Sequence, residues 1–434
     1  MRNLILSLVI LSGSLTQAQD VQEVKYRRSS LHVMMMEDAS LNPEYKNIVD
    51  NTFLTMPFPD KYDNHDIGIS SHDILNIVVP DVEELEDKSK EEKKQDKRLR
   101  GVDKKIEKFI KDEGVARGLV AKWFNRKADG SFSTELIAER GSYDATVLDV
   151  KKANMQSRLL SEQLEDAGYE LIGNTFLVIN KANFVENEIA ATIVYEAAKA
   201  GIAEMKEGTT MEQLVKTAAQ TTADAVYNRT KEGYTVSTRA FLYKLTWNDS
   251  ISDVFYTDLW VDESTPAAEK VAKKQLFDNS DLFSMEFVGM EKAKVLILNL
   301  FGENLSKKQI VSEATIRTTN KVYAKLQKTY EVFKPKTPLA QVENKGKICT
   351  ARIGLKEGLQ GGEKFDVLEQ FTNKEGLTEY KSIATIKVDK NKLWDNQYYA
   401  TEPPVIEGEK VIQATSFKGC KKNFYPGLLI KQTK

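Results

Sequence analysis

Histidine is nearly missing from this chain: only three of its 434 residues are histidines, and none lies beyond His72. A Ser-His or Cys-His mechanism in the middle of the chain would have to borrow its base from the N-terminal part. The motifs of common chemistries are missing as well. There is no Gly-x-Ser-x-Gly elbow, no His-Glu-x-x-His pair and no dinucleotide fingerprint. Gly361, Gly362, Glu363 and Lys364 lack the hydroxyl residue and glycine spacing of a phosphate loop, and Gly346 and Lys347 are followed by Ile348. An excess of one charge is also wanting. With 62 basic and 64 acidic residues the net charge is -2, and no basic stripe stands clear of neighbouring acids, which argues against nucleic acid or an anionic membrane surface as the main partner. No apolar run reaches the ~20 residues that span a bilayer as a helix. These residues assign no catalytic, cofactor-binding or metal site.

What is present is an ordinary globular composition, 41% hydrophobic and 29% charged. The length calls for two or three domains, because a single core stops growing well before this size. Arg2, the apolar stretch Leu4 to Leu11, and Thr16, Gln17 and Ala18 read together as a secretory signal peptide cleaved after Ala18. The competing reading, a membrane anchor, needs a longer apolar run. Export to the periplasm or the outer membrane is the expectation. It would put Cys349 and Cys420, the only cysteines, where disulfides persist. A bridge between them would close the C-terminal module and contribute about 4 kcal/mol; two separate buried thiols are the other reading.

The expected fold is α/β to α+β, with a central mixed sheet, helices, and a small C-terminal all-β barrel or sandwich. The expected division is a signal peptide at 1–18, an N-terminal α+β region at 19–148 with a charged insertion at about 81–113, a central α/β domain at 149–334, and a β module at 342–434. Its centre is the stretch from Gln156 to Asn183. There Leu159, Leu160 and Leu164 have helical spacing, Gly168 reads as the helix end, and Phe176 to Ile179 read as a strand covered on both faces.

Before it, Ser29 to Met36 predicts a strand, and Asn42 and Pro43 open a helix through Tyr45, Ile48 and Val49. Met56 to Asp60 form a proline-stiffened turn. His65 and His72, each followed by an aspartate, are weighed as metal ligands against solvated loop residues, and their spacing fits no compact ligand motif. Val115 to Phe124 is an apolar anchor, and Lys127 to Ser131 separates two strand-like runs, the second holding Leu136 and Ile137.

After the centre, Asn187 to Glu207 predicts a helix with Ile189, Ile193, Val194, Ala197 and Ala198 packed on one side. Thr209 or Thr210 with Glu212 caps a second helix, whose alanines allow close packing. Phe241, Tyr243, Leu245 and Trp247 alternate as a strand, with a turn at Asn248 to Ser250 and a returning strand from Val254 to Trp260. Such aromatics suit either ordinary sheet packing or the interface girdle of an oligomeric membrane barrel. A helix from Pro266, strands at Phe283 to Val288 and Val295 to Phe301, and a helix from Ser312 to Phe333 follow. Pro335 to Pro338 mark the clearest boundary.

Beyond it, strands are expected at Ile348 to Ile353, Phe365 to Gln370, Tyr380 to Val388, Gln397 to Ala400 and Val411 to Thr415, with a short tail through Tyr425, Pro426 and Gly427. Gly358, Leu359, Gly361, Gly362 and Glu363 precede Phe365, Asp366 and Val367. Ile386, Lys387 and Val388 follow, then Gly408, Glu409, Lys410 and Val411. This order of features resembles a β module at the C-termini of some Gram-negative envelope proteins linked to curli secretion and flagellar assembly. The resemblance covers the last fifth of the chain, and the α/β segment from Ser157 to Asn180 is similar to the domain that precedes the module in that family. Two features depart from the pattern: there is no lipid-attachment cysteine, and the residues before Asp149 have no counterpart. The resemblance implies an envelope scaffold, not catalysis.

Two functions are therefore carried forward. The first is an exported, non-enzymatic interaction or assembly protein with other envelope proteins, or copies of itself, as partners. The second is a carboxylate-dependent hydrolase of an envelope polymer, for which Asp258 and Asp262, flanking Trp260, are the first place to look.

Overall fold

The computed structural model describes residues 29–37, 43–73, 77–79, 103–143, 168, 170–206, 208–231, 233–298, 306–343, 348–372, 378–397 and 412–433. The expected charged insertion as far as residue 102, the helix predicted around Leu159 to Leu164, and the expected signal peptide at 1–18 lie outside them. The chain builds one mixed sheet covered on both faces by helices, followed by a closed antiparallel six-stranded barrel.

The sheet has the order β2 (Asp63–Asn64), β1 (Ser30–Glu37), β4 (Thr175–Glu186), β5 (Gly233–Leu245) and β6 (Met285–Leu298), and β3 (Ser71–Asp73) also pairs with β1. The β1 contacts are parallel, while β4, β5 and β6 run antiparallel. Side chains alternate across a strand, and this divides the core cleanly. Leu31, Phe176, Val178, Ala240 and Leu242 meet Val322 and Leu326 of α9 (Lys307–Thr329), and Met35 and Phe184 meet α1 (Pro43–Thr55). On the other face Met34, Met36, Leu177, Ile179, Phe241 and Tyr243 pack on α2 (Lys104–Asp112) and α3 (Val115–Trp123). The three consecutive methionines are thus core residues divided between two layers.

Several expectations are corrected. Gly168 does not end a helix: it is buried and helical, and the strand begins only at Thr175, after the helical residues 170–173 have buried Leu171 and Ile172. The glycine serves packing, since a Cβ there would lie 2.9 Å from Ile137 Cγ2. Leu136 and Ile137 sit on α4 (Glu135–Tyr143), not on a strand. Asn248 starts no hairpin either. Its side chain accepts from the Ile251 N–H and caps α7 (Asp249–Val254), which continues as a π-helical turn, Phe255–Leu259. Phe255 and Leu259 of that run therefore fill a core with Phe124, Phe132 and Phe277, the last from α8 (Ala267–Asp278), and β5 pairs instead with β6. That partner is one continuous strand where the sequence suggested two.

The barrel order is β10 (Thr378–Val388), β11 (Thr415–Lys418), β8 (Ile348–Ala351), β7 (Lys336–Glu343), β12 (Leu429–Gln432) and β9 (Lys364–Thr372), closing back on β10. Its first strand starts at Lys336, and the tail after Gly427 is its last strand. Gln397 is outside any strand, and 398–400 lie outside the described residues. Phe365, Val367, Ile386, Phe417 and Ile430 fill the interior. Cys349 and Cys420 are joined by a disulfide with Cα atoms 6.1 Å apart.

Between β4 and β5 the chain makes a helical hairpin, α5 (Asn187–Ala203) and α6 (Thr210–Thr230). Thr209 and Glu212 form the expected capping box, and Tyr195 stacks on Tyr227 while its hydroxyl donates to Asp224 at 2.6 Å. The apolar side of α5 expected to be packed is open: Ile193 is 67% and Val194 62% exposed, and on α6 Met211 and Leu214 are 68% and 66% exposed. Among the described residues the two helices pack mainly on each other, and their outer stripes meet no second layer.

Candidate binding cleft between the sheet and the barrel

The cleft lies where the turn after α1, the β2–β3 connection, α9 and the 3-10 turn Leu355–Glu357 of the barrel module converge, and encloses about 330 Å³. Its wall is apolar because Met56, Pro57, Phe58 and Pro59 leave α1 as an extended turn, with each proline fixing φ and forbidding helix continuation. Its rim is polar. Lys356 Nζ contacts Asp60 Oδ1 at 3.0 Å, and Lys61 Nζ lies 3.6 Å from Asp60 Oδ2. Burial pushes the Asp60 carboxyl up, but the two ammonium groups outweigh it and hold the group below the usual carboxylate range. Glu357 is 6% exposed; its Oε2 accepts from the Gly354 N–H at 2.7 Å and from Asn396 Nδ2 at 2.9 Å, whereas Oε1 has no partner among the described residues. Behind the cleft, Tyr62 donates to the Phe333 carbonyl at 2.7 Å, tying the β2 end of the sheet to the residues that lead into the barrel.

A second polar group sits beneath the sheet edge. His65 is fully buried, not solvated. Arg140 donates to its Nδ1 at 3.0 Å, so Nε2 carries the proton and donates to the Leu119 carbonyl at 2.9 Å. Protonating Nδ1 would set an N–H against a guanidinium, and burial already pulls the imidazole down to about 3. His32 is equally buried, its Nδ1 3.6 Å from Asp66 Oδ1, and burial holds it at about 4 against that carboxylate's pull. Arg140 also lies over the Trp123 ring at 4.7 Å and donates to the Ser30 hydroxyl at 2.8 Å. Such a neutral, cation-capped arrangement locks β1, β2, α3 and α4 together.

Of the residues weighed in the sequence, His65 belongs to this lock. His72 is placed by its backbone in β3, opposite Met36. No group of three or more His, Cys, Asp or Glu that could hold a metal ion occurs among the described residues. Asp258 is exposed on the π-helical turn, while Asp262 accepts from Trp260 Nε1 at 3.0 Å and from Ser264. Hydrogen bonds from Ser264 and Trp260 keep the Asp262 carboxyl at about 2, the wrong direction for a general acid. Asp60, Lys356, Glu357, His32 and Arg140 were not singled out by sequence. Only the proline turn beside Asp60 carried a local signal; the others meet through separations of up to 296 residues. Compared with known protein families and with curated proteins, the chain matches none.

Proposed function

We propose that this chain is an exported envelope protein that works by presenting folded surfaces to protein partners, as an interaction or assembly scaffold of the periplasm or outer membrane. The observation that carries the reading is the α5–α6 hairpin, where Ile193, Val194, Met211 and Leu214 are each more than 60% exposed. Exposed apolar side chains of this size, repeated along both helices of a charged chain, are what a contact surface would use. A groove of about 400 Å³ between the two helices, lined by Ala191, Ala198, Ala219, Ala223 and Val226, offers a seat for further side chains. The Cys349–Cys420 disulfide fits an oxidising compartment, and the likeness of the C-terminal module to curli-secretion and flagellar-assembly proteins points the same way. No helix among the described residues is long and apolar enough to cross a membrane. Asp262 and Asp60 do not favour the hydrolase: both are shifted away from the raised value a general acid needs.

The test is chemical cross-linking and light scattering of the full chain beside an Ile193→Glu/Leu214→Glu variant. The expected result is a complex, with an envelope protein or with itself, that the variant loses by at least about tenfold in affinity while its melting temperature stays put. A complex indifferent to both substitutions, or no complex at all, overturns the reading.

A further inference from the structure

The outer edge of β1 is interrupted. On its inner side β1 pairs with β4 without a break from Ser30 to Met35. On its outer side β2 pairs only with Ser30 and Leu31, and β3 only with Met35 to Glu37. The last bond before the gap is from His65 N–H to the Leu31 carbonyl at 3.0 Å, and the first after it from Met35 N–H to the Ser70 carbonyl at 2.9 Å. Alternate residues of a strand direct their N–H and C=O to the same edge. Ser30, whose N–H reaches the Asn174 carbonyl, faces inward, so Leu31, Val33 and Met35 face outward. Val33 therefore presents a main-chain donor and a main-chain acceptor to the gap, and among the described residues no backbone hydrogen bond meets either on that edge.

Two independent features make the gap a site. Among the described side chains of β1, Val33 alone is not buried; Leu31, Met34 and Met36 are completely inaccessible. Val33 also lines the 330 Å³ cleft, together with Asn64, Asp66 and Ser70 from either side of the gap. Ile67 and Ile69 of the intervening loop direct their side chains to the opposite face, onto the α2–α3 core.

We propose that this gap is a recognition slot for an extended peptide segment of a partner protein, one residue of which pairs its main-chain N–H and C=O with Val33 while its bulky apolar side chain enters the Phe53, Met56 and Phe58 wall. An amide is the group that supplies one acceptor and one donor along a strand edge, and strand addition to an open edge is the general form of such binding. Three acids, Asp60, Asp66 and Glu357, against two lysines, Lys61 and Lys356, disfavour an anionic ligand. The slot rests on the interaction reading of the chain but uses a surface separate from the hairpin.

The experiment uses the full chain and a capped pentapeptide with a central leucine flanked by threonines and serines, followed by fluorescence polarisation and by hydrogen exchange. The Val33 amide exchanges faster than those of His32 and Met34 in the free protein and becomes protected when the peptide is added. Replacing the central leucine by alanine, N-methylating that residue, or substituting Leu54→Glu at the exposed rim each weakens binding about tenfold or more. The Ile193→Glu/Leu214→Glu variant binds the peptide normally, so loss of the hairpin complex and loss of the slot are read separately. Binding that survives N-methylation and Leu54→Glu, a Val33 amide already protected without peptide, or no saturable binding at millimolar peptide overturns the proposal.

Discussion

The barrel and the α5–α6 hairpin are both small appendages to the sheet, and they solve the same problem in opposite ways. The barrel gives every strand two neighbours and turns Phe365, Phe417 and Ile430 into a closed interior. The hairpin satisfies its backbone helix by helix, yet among its described residues only Asn187 and Ala191 are buried. Closure lets a short module finish its own core. A pair of helices has only one mutual seam, and whatever apolar surface faces away from it waits for a third element.

The largest effect expected from breaking this contrast falls on the barrel. Removing the disulfide in a Cys349→Ser/Cys420→Ser variant opens a loop with a sequence separation of 71 and should cost about 4 kcal/mol of unfolding free energy, read as a lower urea midpoint for the barrel. An unchanged midpoint would mean that the ring of strands needs no covalent closure.

An intermediate effect separates barrel from sheet by pH. No histidine lies in the barrel, whereas His32 and His65 are buried neutral, at about 4 and about 3 against an ordinary 6.5. Their folded values are depressed, so between those limits the unfolded chain binds the extra protons. Stability of the sheet unit is then full above pH 6.5 and declines as pH falls toward 4 and 3. His65→Gln keeps an acceptor for Arg140 and a donor for the Leu119 carbonyl but cannot titrate. Denaturation curves at pH 7 and pH 5 should lie closer together for that variant than for the natural chain, and equal spacing would contradict the assignment.

The smallest effects belong to the hairpin. Thr209→Ala removes the capping-box hydroxyl and should cost about 1 kcal/mol, visible as faster amide exchange confined to α6. Leu214→Ala touches an exposed side chain and should change folding by less than about 0.5 kcal/mol. A cost of several kcal/mol would show that Leu214 is packed in the isolated chain.

Where the sequence could be read, the signal was local. The alternation of β1 and β5, the continuous apolar run of β4, the capping box at Thr209 and Glu212, and the short β strands of the last module all record contacts made within a few residues. Misreadings arose where a local pattern had two solutions. Phe255, Leu259 and Trp260 satisfy strand and helix alike, and Asn248 suits a turn as well as an N-cap; the aromatic core around Phe124 decided for the helix. Ile193 and Val194 have the spacing of a packed face, and no periodicity could reveal that no layer among the described residues covers them. The cleft was illegible for a different reason. Val33 looks like any core valine until β2 and β3 are seen to stop short on either side of it, and Lys356 meets Asp60 only because the barrel docks beside α9.

The linear order of residues by itself determined the class of fold, the two cysteines that could meet, and the chemistries for which the side chains are lacking, because these follow from composition and short-range period. Tertiary structure alone decided which apolar faces are covered, which histidines lose water, and where a strand edge stays open. Those properties depend on what arrives from elsewhere in the chain, and burial is a property of the neighbours, not of the residue.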